Sequence, residues 1–105
     1  MEAESYTKPQ LEKIYEILSH INKCNNADDG YKYDAVKCFT DAKNNFYISF
    51  YRHGFNHSGP VSETGYWEID RLGRRKDLKE EYSTALGVSE YFDRLTPCDL
   101  TKDLQ

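Results

Sequence analysis

The strongest constraint in this chain is a single apolar stripe near its start. Leu11, Ile14, Ile17, Leu18, Ile21 and Cys24 recur at steps of three and four residues. That spacing places them on one face of an amphipathic helix. Glu12, Lys13, Glu16 and Lys23 fall mostly on the other side. Thr7-Lys8-Pro9-Gln10 has the form of a capping box, with Thr7 as N-cap, Pro9 in the first turn and Gln10 reaching back. Asn25-Asn26 and Asp28-Asp29-Gly30 end the helix. One such helix is marginal alone, so its stripe requires a second apolar surface.

That surface is predicted to be a sheet. Tyr31 to Thr40 is rich in aromatic and β-branched residues and lacks Pro and Gly. Asp41-Ala42-Lys43-Asn44-Asn45 has turn chemistry. Phe46 to Arg52 then reads FYISFYR, a strand with two distinct faces. Phe46, Ile48 and Phe50 share one side, expected against the helix. Tyr47, Ser49 and Tyr51 share the other, expected toward water or a partner. Residues 53–65, HGFNHSGPVSETG, hold three Gly and one Pro and read as a long connecting loop. Tyr66 to Leu72 reads as a third strand, with Trp67 and Ile69 inward and Tyr66, Glu68 and Asp70 outward.

Asp77-x-x-Glu80 resembles a second capping box. Leu78, Tyr82, Ala85 and Leu86 supply its apolar stripe, and Gly87 ends or kinks it. Ser89 is expected to cap a last short helix carrying Phe92 and Leu95, stopped by Pro97. The expected fold is therefore α+β, in the order α-β-β-β-α-α. An N-terminal helix, a three-stranded antiparallel sheet and a C-terminal helix or helix pair form it, with the helices packed on one face. The 105 residues fit one domain, with an ordered core over 6–97 and a flexible tail over 98–105.

The first residues carry acid and no apolar signal-peptide region, and no run reaches the length of a membrane helix. A cytoplasmic protein with no membrane partner is expected. Cys24, Cys38 and Cys98 are an odd set without framework spacing, so they read as reduced, small buried hydrophobes.

Charge is unevenly spread. The whole chain is −4, yet residues 51–76 carry five basic and three acidic side chains. This mildly basic island coincides with the Tyr/His/Arg-rich stretch, where function is expected. The leading expectation is a non-catalytic protein-interaction domain, of the inhibitor or immunity type. Its partner-binding surface would be Tyr47, Tyr51, Arg52, His57, Tyr66 and Arg71, since interface cores favour Tyr and Arg. The partner would be a nuclease or another basic-surfaced enzyme, and the chain a monomer or homodimer.

The alternative is a small metal-independent ribonuclease-like enzyme. His53, His57, Glu63 and Arg75 would supply a base, an acid and a cation for the charge on phosphorus. Nucleic-acid binding is a third reading, with the strand tyrosines as stacking platforms, although Glu68 and Asp70 on that face would repel phosphate. No cofactor or metal is expected. His53-x3-His57 is half of a zinc spacing, and a C-x2-C half is lacking.

Overall fold

A computed structural model describes residues 6–27, 30–80 and 85–98. Helix α1 spans Lys8–Asn26, followed by strands β1 (Lys32–Thr40), β2 (Phe46–Asn56), β3 (Gly59–Ile69) and β4 (Arg75–Asp77). A short 3-10 turn, Leu78–Glu80, helix α2 (Ala85–Phe92) and strand β5 (Thr96–Cys98) complete it. The strands form one antiparallel sheet in the order β4-β3-β2-β1-β5. The α+β class and N-terminal helix agree with the sequence reading. Among the described residues the sheet has five strands rather than three.

The capping box at the start of α1 is present. Gln10 N donates to Thr7 Oγ1 at 3.2 Å and Thr7 N donates to Gln10 Oε1 at 3.1 Å. Gln10 also anchors the helix to the sheet. Its fully buried side-chain amide donates to Asn44 O at 2.9 Å and Ile69 O at 3.1 Å. At the other end, the Asn25 side chain pairs with the backbone of Tyr33 in both directions, at 3.0 and 2.7 Å. Lys32 Nζ donates to the Cys24 and Ala27 carbonyls, satisfying acceptors that a helix end leaves open. Both ends of α1 are thus fixed by side chains that the strands meet directly.

Between those anchors, Ile14, Ile17, Leu18 and Ile21 pack on Tyr33, Phe46, Ile48, Phe50 and Ile69. Phe46, Ile48 and Phe50 face the helix, as the alternation predicts. Each fully buried side chain of this size contributes up to about 1.5–3 kcal/mol.

Residues 53–65 are a correction: they are not a loop. β2 continues to Asn56, His57 and Ser58 make the turn, and β3 begins at Gly59. The turn uses Asn56, whose Oδ1 accepts from Ser58 N at 2.8 Å, and Gly59, whose φ of +114° suits glycine. Gly54 and Gly65 are not breakers. A Cβ at Gly54 would stand 2.7 Å from Tyr31 Cδ1, and one at Gly65 would stand 2.1 Å from Phe50 Cζ. These glycines make room for aromatic rings lying across the sheet. Pro60 is tolerated because β4 pairs with residues 67–69, which among the described residues leaves that stretch of β3 as an edge.

The C-terminal third is also rearranged. Residues 75–77 extend the sheet, and Asp77 caps only a single turn, accepting from Lys79 N at 3.0 Å. Gly87 lies inside α2 rather than ending a helix, and Ser89 is interior to it. The predicted stripe residue Tyr82 lies outside the described residues, as do residues 99–105 of the expected 98–105 tail. Pro97 and Cys98 belong to β5, and Cys98 is buried against the α1-side core.

The helices do not share one face. Val88 and Phe92 of α2 pack with Tyr47 and Leu78, joined by Phe39, Tyr66, Tyr91 and Leu95. Tyr47 alternates with Phe46 and Ile48 along β2, so α2 covers the side opposite α1. The reason is chemical. Aromatic side chains at 39, 47 and 66 give that face enough apolar area to require a cover. Phe92 inserts among them edge-on, with ring centroids 5.0–5.7 Å away.

Candidate functional site

The face under α2 continues beyond it. Along β2 the positions Tyr47 and Ser49 are followed on the same side by Tyr51, His53 and Phe55. Tyr47 is only 1 % exposed, whereas Tyr51 is 42 % and Phe55 is 78 % exposed. The covered and open parts of one strand therefore meet between Ser49 and Tyr51. β1 pairs with β2 only as far as His53. Beyond that point, residues 54–61 form a two-stranded arm.

On the open face at the base of the arm the Tyr51 and His53 rings stack, with centroids 5.6 Å apart and planes 29° apart. His53 Nε2 lies 2.6 Å from Asp34 Oδ2 on β1. Asp34 sits at the start of a break in the β1–β2 register, where Ala35 has φ +53°. That bulge re-aims the strand next to the His53 pair. Tyr51, His53, Phe55, Pro60 and Ser62 outline a shallow depression of about 310 Å³. The arrangement offers two aromatic surfaces, an imidazole held by a carboxylate, and little enclosed volume.

The opposite face of the same strands is built differently. Arg52 lies over the Tyr31 ring at 4.9 Å and forms an ion pair with Glu63, its partner across the ladder. Farther along, the Arg75 guanidinium stacks 4.5 Å over Trp67. Lys13, His20, Arg52, Trp67 and Arg75 border an open groove of about 520 Å³ between α1 and the sheet, with Glu16 on its rim. Lys13 is already paired with Glu16 at 2.7 Å.

The predicted partner surface is therefore divided. Tyr47 is buried and Tyr66 is half-buried against Phe92, which corrects the expectation that Tyr47, Tyr51 and Tyr66 share one open face. Burial, together with the neighbouring Tyr91 hydroxyl and the Asp41 and Glu68 carboxylates, holds the Tyr47 phenol far above its ordinary pKa. Arg52 points to the α1 side. Arg71 lies near the start of α1, where its Nη1 donates to Gln10 Oε1 and Asn44 O, both at 3.3 Å. Of the six residues, Tyr51 and His57 remain exposed on the hairpin.

The ribonuclease-like set is also separated. His53 is on the α2 side of the sheet, Glu63 is on the α1 side paired with Arg52, and His57 is in the turn at the tip. Arg75 stacks on Trp67 at the other end of β3. Among the described residues, no group of three or more His, Cys, Asp and Glu side chains is placed to hold a metal ion. Among those residues, no helix is long and apolar enough to cross a membrane.

Sequence reasoning missed Phe55. Its signal is the odd-numbered series 51, 53, 55, which becomes visible only when β2 is continued through Gly54. Comparison with protein-family models, with curated proteins and with solved structures finds no match.

Proposed function

We propose that the chain is a non-catalytic protein-interaction domain, of the inhibitor or immunity type, that docks on another protein through the open face of its β2–β3 arm. The observation that carries this reading is the exposure of Phe55, 78 %, on the same face as Tyr51 and His53. Exposed apolar surface forgoes about 25 cal/mol per Å² of burial, and Phe55 at this position contributes little to the fold. Aromatic side chains grouped this way match the composition of interface cores. Tyr51 and His53 stiffen one another by stacking, so less side-chain freedom is lost on binding.

The favoured partner has an apolar recess for Phe55 and a basic rim. The net charge of −4 supports this choice, because an acidic domain associates faster with a positive surface. A nuclease or other basic-surfaced enzyme has that character.

Affinity capture from lysate of the source cells, using the wild-type chain beside Phe55→Ala and Tyr51→Ala, tests the reading. The expected result is a stoichiometric protein retained by wild type and lost in both variants, while each variant keeps the wild-type melting temperature. Incubating the purified chain with mixed RNA, with and without chelator, tests the competing class. Cleavage abolished by His57→Ala would replace the present reading.

A further inference from the structure

We infer that Cys38 and Cys98 are a redox pair that closes into a cross-strand disulfide, fastening β5 to the sheet. The two residues stand directly opposite each other in the antiparallel β1–β5 ladder. Both are buried thiols, and both belong to the cluster under α1. Side chains at opposed positions project from the same side of a sheet. The pair therefore has the correct relative direction as well as proximity.

The hydrogen-bonding pattern sets the separation. Phe39 is opposite Pro97, and proline has no N–H to give. Phe39–Pro97 must then be a pair without mutual backbone hydrogen bonds, which makes the adjacent Cys38–Cys98 the hydrogen-bonded kind. The β1–β2 side agrees. Asp41 N donates toward β2, to Asn45 O at 3.3 Å. Backbone groups two residues apart on a strand point the same way, so Phe39 also faces β2 and Cys38 faces β5.

Cα atoms in such a pair are about 5.5 Å apart. This lies at the preferred separation for a disulfide, about 5.5–6 Å. Opposed Cβ atoms stand about 4.5–5.5 Å apart, nearer the upper figure in a hydrogen-bonded pair, and a closed bridge needs about 3.5–4.5 Å. Closure thus draws β5 inward by about 1–2 Å. β5 is the element able to yield, because among the described residues it has three and pairs with β1 alone.

The oxidant is a low-molecular-weight disulfide, RSSR. One cysteine thiolate attacks RSSR, forming a mixed disulfide and releasing RS⁻. The second thiolate displaces the other RS⁻ and forms the Cys38–Cys98 bond. The two cysteines lose two protons and two electrons in total, and RSSR is reduced to two RSH. Burial of both thiols makes opening of the short edge strand the step that admits the reagent. Cys24 has no such partner: it is partly exposed near the C-terminal end of α1, with His20 Nε2 3.6 Å from its sulfur.

The test uses the full chain as wild type and as Cys24→Ser. Each is treated with oxidised glutathione under native conditions, then alkylated in denaturant and digested. The expected product is a peptide linking Cys38 to Cys98, with neither thiol alkylated. Oxidation should raise Tm by about 10 °C or more, since a bridge closing a long loop restricts the unfolded chain. Dithiothreitol should reverse the rise, and Cys98→Ala should show none. Both thiols remaining alkylatable, carrying only glutathione, or pairing preferentially with Cys24 in wild type would overturn the inference. Peptide mapping of wild type decides the matter even if a variant fails to fold.

Discussion

The Tyr47 hydroxyl donates a 2.8 Å hydrogen bond to Asp41 Oδ2. The phenol has one proton, and an ionised carboxylate only accepts. The 2.8 Å contact between the Tyr47 and Tyr91 hydroxyls must therefore have Tyr91 as donor. A chain from Tyr91 through Tyr47 to Asp41 ties α2 to β2 and to the β1–β2 turn. Tyr47→Phe keeps the ring packing but removes the hydroxyl's hydrogen bonds to Asp41 and Tyr91. The expected loss is about 1–3 kcal/mol, read by thermal melting as a fall of about 4–8 °C per kcal/mol. An unchanged Tm would contradict this role.

Asp41 gives the fold an acid-sensitive point. Burial pushes its pKa up, but donors from the Asn45 backbone, Tyr47, the Asn45 side chain and the Lys43 backbone outweigh it, and the net shift is downward. A folded pKa below the unfolded one favours the folded state when the group is ionised. The contribution is complete above the ordinary value of 3.8 and is lost as pH falls through the lower folded value. Asp41→Asn should be less stable than wild type at neutral pH. The gap should narrow as denaturation is followed below about pH 4. A constant gap across that range would contradict it.

Gly65→Ala tests why the middle of the chain is sheet. The new methyl would stand 2.1 Å from Phe50 Cζ, and Phe50 is held between Tyr33 and Trp67 at 5.1 and 4.8 Å. The ring cannot move without disturbing both neighbours. Overpacking of this kind costs about 1–3 kcal/mol, measurable by urea denaturation. Stability equal to wild type would mean that Phe50 readily relocates.

The same position shows what the sequence made legible. α1 and the Phe46/Ile48/Phe50 face were readable because periodicity and a capping box are local signals. The arm was not. Gly54, Gly59, Pro60 and Gly65 look alike as breakers, yet only Gly59 serves the turn's backbone. Gly54 and Gly65 answer to Tyr31 and Phe50, which are far away in sequence, and Pro60 answers to the lack of a neighbouring strand. The exposure of Tyr47 was misjudged for a similar reason. Alternation separates two faces but does not reveal that Phe92 of α2 will cover the second. The exposure of Tyr51 follows from alternation alone, while that of Phe55 requires β2 to continue through Gly54.

Lys79 protects the edge of β3. Its Nζ donates to Thr64 O at 3.0 Å, occupying an acceptor on the stretch that β4 leaves unpaired. Pro60 removes a donor from the same edge. Charged and proline-bearing edges suppress strand-to-strand association. Lys79→Ala should therefore increase self-association relative to wild type in sedimentation velocity, with little change in Tm. Equal sedimentation across a concentration series would show that Lys79 has no such role.

Site-specific photocrosslinking tests the proposed interface most directly. A benzophenone amino acid is placed at position 55 of the full chain, and at position 72 as a control, because Leu72 is also exposed but lies in the β3–β4 turn, away from the arm. Both are irradiated in lysate from the source cells. The expected result is one discrete protein adduct at position 55, competed by excess wild type but not by Tyr51→Ala, and absent at position 72. No saturable adduct at position 55, or the same adduct from both positions, would contradict docking through the arm.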